Sequence, residues 1–227
     1  MIDNPLILLV ALPLAAYAVG STPVGVILAR AHGVDLRKVG SGNVGATNCG
    51  RALGRKWGYL CFVLDVAKGL VPVLAMGVLV RPAEGVPTLL HQAAWLLVGC
   101  GAIAGHVFSF WLRFRGGKGV ATALGVVVGV WPYFTLAGLI ALGAWVVVTL
   151  ASRYVSLGSI VAAVVFLPAF AALNWSRVAG LWPMAAFAVA MVALIVVRHR
   201  SNIVRLVKGT ENKIGRGKTA ERAEAQG

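Results

Sequence analysis

Most of the side chains able to handle a polar substrate fall in three short blocks. The first is Gly40-Ser-Gly-Asn-Val-Gly-Ala-Thr-Asn48, followed by Arg51 and Arg55. Its glycines let backbone N–H groups turn toward an anion, and Ser41, Asn43, Thr47 and Asn48 add further donors. That pattern suits a phosphate cradle, although the same residues also make ordinary turns. The second block is Gly105-His106 and then Phe114-Arg-Gly-Gly-Lys-Gly-Val-Ala-Thr122. Here Gly116, Gly117 and Gly119 surround Lys118 at the start of an apolar run. This predicts a helix N-terminus where free N–H groups, the dipole and the lysine together favour phosphate. It is not a nucleotide P-loop, because Gly119 stands where Ser or Thr is required and Leu112 where the first glycine is required.

The third block runs Arg198-His-Arg-Ser-Asn202-Ile-Val-Arg205 and on to Glu211 and Lys213. As one helix it would place Arg198, Asn202 and Arg205 on a single arc, with His199 beside Asn202. An interfacial helix carrying its cations to anionic lipid is the competing reading. Three anion-suited blocks in an apolar chain point to a substrate that is part lipid and part phosphate. Acyl transfer at a membrane surface meets that demand. The His-plus-carboxylate signature of acyl-CoA-dependent lipid acyltransferases is absent: His32, His91, His106 and His199 are followed five residues on by Arg37, Leu96, Trp111 and Val204. With only Asp35 and Glu211 as nearby carboxylates, a Ser-His-acid triad is poorly supplied.

The elements that must position these blocks are membrane helices. Of the 227 residues, 59% are hydrophobic and 12% charged, and the mean hydropathy is +0.85. A soluble domain carries about 25% charge, so both a water-soluble globule and a disordered chain are excluded. Apolar runs near the roughly 20-residue spanning length occur at 6–29, 57–80, 89–112, 119–131, 134–151, 157–173 and 181–197. The fourth is short enough to be re-entrant. Charge decides: with seven spans, 18 of the 21 Lys and Arg fall on one side and only Arg81 and Arg177 on the other. A re-entrant fourth run would instead put the cationic tail outside, against the positive-inside rule. The expected fold is therefore all-α and polytopic, with seven transmembrane helices, the N-terminus outside and the C-terminus cytoplasmic. Residues 1–214 form one membrane domain and 215–227 a disordered tail. The first run lacks a basic leader and a cleavage site, so it is expected to remain as a span.

Within the spans Asp65 and Lys68 are charged, three residues apart on one helical face; an internal salt bridge holding helices in register is expected. The net charge of +14 reads as topology plus anionic substrates, with no nucleic acid as partner. The odd cysteine count, Cys49, Cys61 and Cys100, supports neither disulfides nor a metal site. A phosphate transporter is the rival from another class; it would need polar groups along a path from both faces, and the outer loops here are short and nearly featureless.

Together the blocks resemble the three signatures of the bacterial membrane acyl-phosphate:glycerol-3-phosphate acyltransferases, the PlsY family. The likeness rests on Gly40 to Asn48 with Arg51, on Gly-His-Val-Phe108 and Phe114 to Thr122, and on Arg198 to Leu206 with Gly209 and Glu211. It covers residues 6–213. Ser109 stands where proline is expected and Arg115 where lysine is expected. The resemblance implies acyl transfer from acyl-phosphate, not from acyl-CoA or acyl carrier protein, to the sn-1 hydroxyl of glycerol 3-phosphate. It implies Ser41, Arg51, His199 and Asn202 as active-site residues and the glycines around Lys118 as the glycerol 3-phosphate site. Asn43, Thr47, Asn48, Ser156, Arg198 and Arg205 are expected on substrate phosphates, and Asp65, Lys68, His106 and Glu211 in support. No metal or other cofactor is expected. The soluble enzyme PlsX, which makes acyl-phosphate, is the implied partner, and the cytoplasmic face of the inner membrane the implied location. The mixed anhydride is already activated, so direct attack by the glycerol hydroxyl is the economical mechanism, its proton passing to His199 or to the donor phosphate.

Overall fold

The computed structural model describes residues 4–214, and every regular element among them is helical. A short π-helical stretch, Ile7–Ala11, runs into α1 (Leu12–Gly20), and α2 (Val24–Ala31) resumes after a break at Thr22 and Pro23. Proline has no N–H to donate and its ring obstructs the preceding turn, so the first apolar run becomes two helices of one 25-residue segment. Then come α3 (Ala46–Leu53), α4 (Arg55–Val80), α5 (Leu89–Val107), α6 (Val120–Gly129), α7 (Thr135–Ser152), α8 (Val155–Leu173), α9 (Trp182–Arg198) and α10 (Arg200–Val207). The residues expected to form a tail, 215–227, lie outside the described part.

Five segments are long and apolar enough to cross a membrane: the first run, α4, α5 with its 3-10 extension to Leu112, α7 and α8. The last run is bent. α9 and α10 meet at 55° and make a sixth candidate if taken together. The straight helix expected through Arg198, Asn202 and Arg205 is therefore broken at His199. Its N–H is shared between the carbonyls of Ile195 and Val196, and its ring Nδ1 lies 2.8 Å from the Ile195 carbonyl, which closes α9 before the polar α10 turns aside.

The fourth run folds as only ten helical residues, about 15 Å of rise against a hydrocarbon thickness of about 30 Å. Its flanks lengthen its reach. At one end Lys118 meets α10; at the other, Arg81 Nη1 donates to the Trp131 carbonyl (3.5 Å) and the Tyr133 hydroxyl to the Gly85 carbonyl (3.1 Å) in the α4–α5 turn. Residues 118–133 thus connect the two ends of the bundle.

Small residues bring these helices together. Gly101 and Gly105 of α5 lie on the α1 backbone at Pro13 and Tyr17, and Gly69 of α4 and Gly125 of α6 meet the backbones of Thr122 and Val66; a Cβ on any of them would overlap main-chain atoms. Lipid supplies no hydrophobic drive between helices, so close backbone approach carries much of the association. The core continues into α7, α8 and α9 through Phe134, whose ring lies 5.1–6.1 Å from Phe166, Phe170 and Phe187. Ser109, at a position where proline was expected, is buried and donates to the Ser21 carbonyl at 2.6 Å, tying the end of α5 to the α1–α2 break.

Candidate active site

All three blocks gather at one end of the bundle. In the first, Asn48 at the base of α3 holds the loop: its Nδ2 donates to the carbonyls of Leu36 (3.0 Å) and Val39 (2.9 Å), and its Oδ1 accepts the Ser41 N–H (3.0 Å). Asn43 Oδ1 accepts the Gly45 N–H at 2.9 Å. Gly40 and Gly42 adopt φ of 59° and 68°, the left-handed region glycine enters without penalty. The loop leaves Ser41 exposed and Asn43 half-buried. Thr47 points outward and is exposed, and the Asn48 amide is wholly committed to the loop. One helical turn on, Arg51 Nη2 donates to the Asn212 carbonyl (3.3 Å).

The second block is held from outside. Gly116 and Gly117 donate their N–H groups to the carbonyls of Val107 (3.0 Å) and His106 (3.1 Å), while Arg198 Nη2 donates to the carbonyls of Gly116 (3.3 Å) and Gly117 (3.0 Å). Two of the expected glycine N–H groups, those of Gly116 and Gly117, are therefore committed to α5. Gly119 turns the chain at φ 86° into α6, leaving Lys118 Nζ to donate to Asn202 Oδ1. Burial pulls the Lys118 pKa down to about 8; Glu211 opposes this, while Arg205, Arg51 and Arg198 add to it.

The third block closes the site. Asn202 Nδ2 and Ser156 Oγ donate to Glu211 Oε1 at 2.8 and 3.0 Å, and Arg205 Nε to Oε2 at 2.7 Å. Burial raises the Glu211 pKa, but these three donors outweigh it and hold the carboxyl below its ordinary value. Glu211 is kept in reach by a strap in which Ile214 N–H donates to the Arg153 carbonyl (2.8 Å) and Arg153 Nη2 to that of Ile214 (3.0 Å). Ser156 thus meets a carboxylate where a phosphate was expected. His199 is buried, its Nδ1 committed to Ile195.

Two cavities lie between the blocks. One, of about 340 Å³, is lined by Ser41, Asn43, Gly116, Lys118 and Arg205 from the expected set. The other, of about 310 Å³, is lined by Lys118 and Arg198 together with Arg200. They share Asn43, Lys118 and Ser201, and among the described residues no carboxylate lines either. Sequence reasoning missed Arg37, Arg115, Arg200 and Ser201. The last three sit inside the blocks; Arg37 is carried in because Asn48 folds residues 36–41 back on themselves. Beneath the site, Asp65 and Lys68 pair as expected, Oδ1 to Nζ 2.9 Å, and Nζ also donates to the Thr22 carbonyl (3.0 Å). Among the described residues no cluster of three His, Cys, Asp or Glu side chains could hold a metal ion.

The chain is similar to known proteins over nearly its full length. A family model described as Glycerol-3-phosphate acyltransferase matches residues 10–209. A glycerol-3-phosphate acyltransferase of Geobacter sulfurreducens is 47% identical over 200 residues, covering 87% of this chain and 93% of that one. Another from Aquifex aeolicus is 43% identical over 202 residues, covering 87% and 95%. Among solved structures, PlsY (YgiH), an integral membrane glycerol 3-phosphate acyltransferase, superposes in its glycerol 3-phosphate form with a TM-score of 0.78 at 40% identity, covering 90% of this chain and 94% of that one. Its lysophosphatidic acid form gives 0.76 at 38% identity, with the same coverage.

Proposed function

The chain belongs to the glycerol-3-phosphate acyltransferase family, and on that premise we propose that it acylates the sn-1 hydroxyl of glycerol 3-phosphate with acyl-phosphate as donor, giving lysophosphatidic acid and phosphate. The observation that carries this is the pair of adjoining cavities sharing Lys118, Asn43 and Ser201. Two phosphorylated substrates that must touch need two anion sites with a common wall. Arg37, Arg115 and Arg205 surround the first, which takes glycerol 3-phosphate; Arg198 and Arg200 flank the second, which takes the donor phosphate. Val197, exposed at the edge of the second cavity, fits an acyl chain entering from lipid. Acyl-CoA and acyl carrier protein are not donors in this scheme.

The glycerol hydroxyl attacks the acyl carbonyl, the new ester C–O bond forms, and the bond from the acyl carbon to the phosphate oxygen breaks. Lys118 at the shared wall stabilises the charge passing to the departing phosphate, and Ser41 and Asn43 orient the acceptor. The proton goes to the donor phosphate. His199 lines neither cavity; it fixes the α9–α10 joint that presents Arg198, Ser201 and Asn202. Arg51 and Ser156 act through the Glu211 strap, and Thr47 and Asn48 support the first loop. His199→Gln should then keep most of the turnover; abolition of kcat in folded protein with both KM values unchanged would make His199 the proton acceptor.

Seven crossings with the N-terminus outside and the active site on the cytoplasmic side of the inner membrane complete the reading. The reach of residues 118–133 from end to end of the bundle supports a crossing by α6, as does the charge asymmetry. The acyl-phosphate-forming enzyme PlsX is the partner upstream. The test is purified protein in lipid supplied with acyl-phosphate and glycerol 3-phosphate: lysophosphatidic acid and phosphate should appear in equal amounts, with no product from acyl-CoA or acyl carrier protein. Equal rates from acyl-CoA would overturn the donor assignment.

A further inference from the structure

One buried cluster lies outside both cavities and yet touches the lysine loop. Asp65, Lys68 and His106 are each at most 8% exposed. His106 Nδ1 is 3.6 Å from Asp65 Oδ1, itself paired with Lys68, and the Cys61 thiol donates to Asp65 Oδ2 at 3.7 Å. Among the described residues no hydrogen bond of 3.5 Å or less reaches His106 Nδ1, so the ring's orientation rests on its 3.6 Å contact with Asp65 and on packing. The opposite edge of the ring faces the loop. A Cβ on Gly117 would overlap His106 Nε2 and press on Cε1 and Cδ2, and these ring atoms are its three nearest neighbours. Gly116 differs: its Cβ would strike the main-chain carbonyls of His106 and Val107. Neither glycine has a left-handed φ, so neither is there for its backbone conformation.

We infer that His106 is a positioning residue for the phosphate loop: an imidazole, held by the intramembrane Asp65–Lys68 pair, is the shelf on which Gly117 rests and sets where Lys118 stands between the cavities. This deepens the proposed function and rests on the loop serving phosphate. It gives the adjacent glycines different reasons to lack a side chain. Gly117 makes room for a side chain that can be cut away, and Gly116 for a backbone that cannot.

The test is a set of variants in the full chain, reconstituted in lipid and assayed with acyl-phosphate and glycerol 3-phosphate. His106→Ala should raise KM for glycerol 3-phosphate by roughly tenfold, less than the roughly hundredfold that a misplacement of about 1 Å can cost, with kcat changed less than KM. A purely structural role would instead lower the active fraction, reducing kcat at constant KM. Gly117→Ala should raise KM more, and adding His106→Ala should bring it back to the level of His106→Ala alone. Gly116→Ala should gain nothing from the same addition. Simple multiplication of the His106→Ala and Gly117→Ala effects, or equal rescue of Gly116→Ala, overturns the inference. If His106→Ala fails to fold, His106→Asn supplies the smaller side chain for the same cycle. The proposed function fails separately: Lys118→Met with unchanged KM would remove the phosphate role, while Tm values of the unsubstituted protein, His106→Ala, Gly117→Ala and their double variant would still show whether positions 106 and 117 are coupled.

Discussion

The two glycine-rich loops beside the cavities look alike in sequence and are held in opposite ways. The first is self-supporting: Asn48 bonds residues 36, 39 and 41, and Asn43 bonds residue 45, all within thirteen residues of chain. The second, Gly116 to Gly119, takes its form from α5 through the carbonyls of His106 and Val107, and from α9 through Arg198. A loop that bonds itself can be placed in a membrane bundle as a unit. One that borrows its bonds moves with its supports, and Lys118 moves with it.

The sharpest way to break the contrast is to remove what both loops serve. Lys118 borders both cavities, so Lys118→Met should lower kcat/KM on the order of 10²- to 10³-fold, as loss of a preorganised charge-stabilising donor does. A fall confined to one substrate's KM would mean the cavities are not joined through this residue. Next come the supports. Asn48→Ala leaves the carbonyls of Leu36 and Val39 without their donor, at about 1–3 kcal/mol for a buried polar group left unsatisfied. It should lower Tm along with activity, because the damage is local to the fold of the loop. Arg198→Gln should raise both KM values about tenfold, one charge-assisted contact's worth of roughly 1.4 kcal/mol, with little change in Tm. Reversal of the two Tm results would mean the first loop is not the self-supported one.

These differences also explain what was legible in the sequence. Apolar length and charge asymmetry marked the helices that proved long enough to span, but not the bend at His199, which depends on backbone bonds closing α9. Ser41, Asn43, Lys118 and Arg205 could be picked out because small donors and cations cluster in short blocks, and all four line a cavity. Arg37 could not, since it reaches the site only through Asn48. Ser156 could be recognised as polar at a helix start, but not as the partner of Glu211 across 55 residues of chain. The link from His106 to Gly117 likewise joins neighbouring elements in space and leaves no local pattern.

A milder perturbation is pH. Burial brings the Lys118 pKa from its usual 10.5 to about 8. The group is a cation below that value and loses charge as pH rises through it, so in the free enzyme the affinity for both phosphorylated substrates should weaken above about pH 8. KM measured from pH 6.5 to 9 should bend upward there, by severalfold. Lys118→Arg keeps its charge throughout this range, so its KM should stay flat; a bend that survives the substitution would belong to another group.

The smallest expected effect tests the first loop at an exposed position that lines neither cavity. Thr47 shares the block with Ser41 and Asn43, and by composition alone it belongs on a phosphate. It sits in the first turn of α3, exposed, and lines neither cavity. Thr47→Ala should therefore leave KM and kcat within about twofold and Tm nearly unchanged, as surface substitutions away from special features do, within about 0.5 kcal/mol. A tenfold loss in KM at unchanged Tm would mean that the loop turns Thr47 inward when phosphate binds. The first loop would then resemble the second after all, a segment whose working form is set by what it contacts rather than by its own hydrogen bonds.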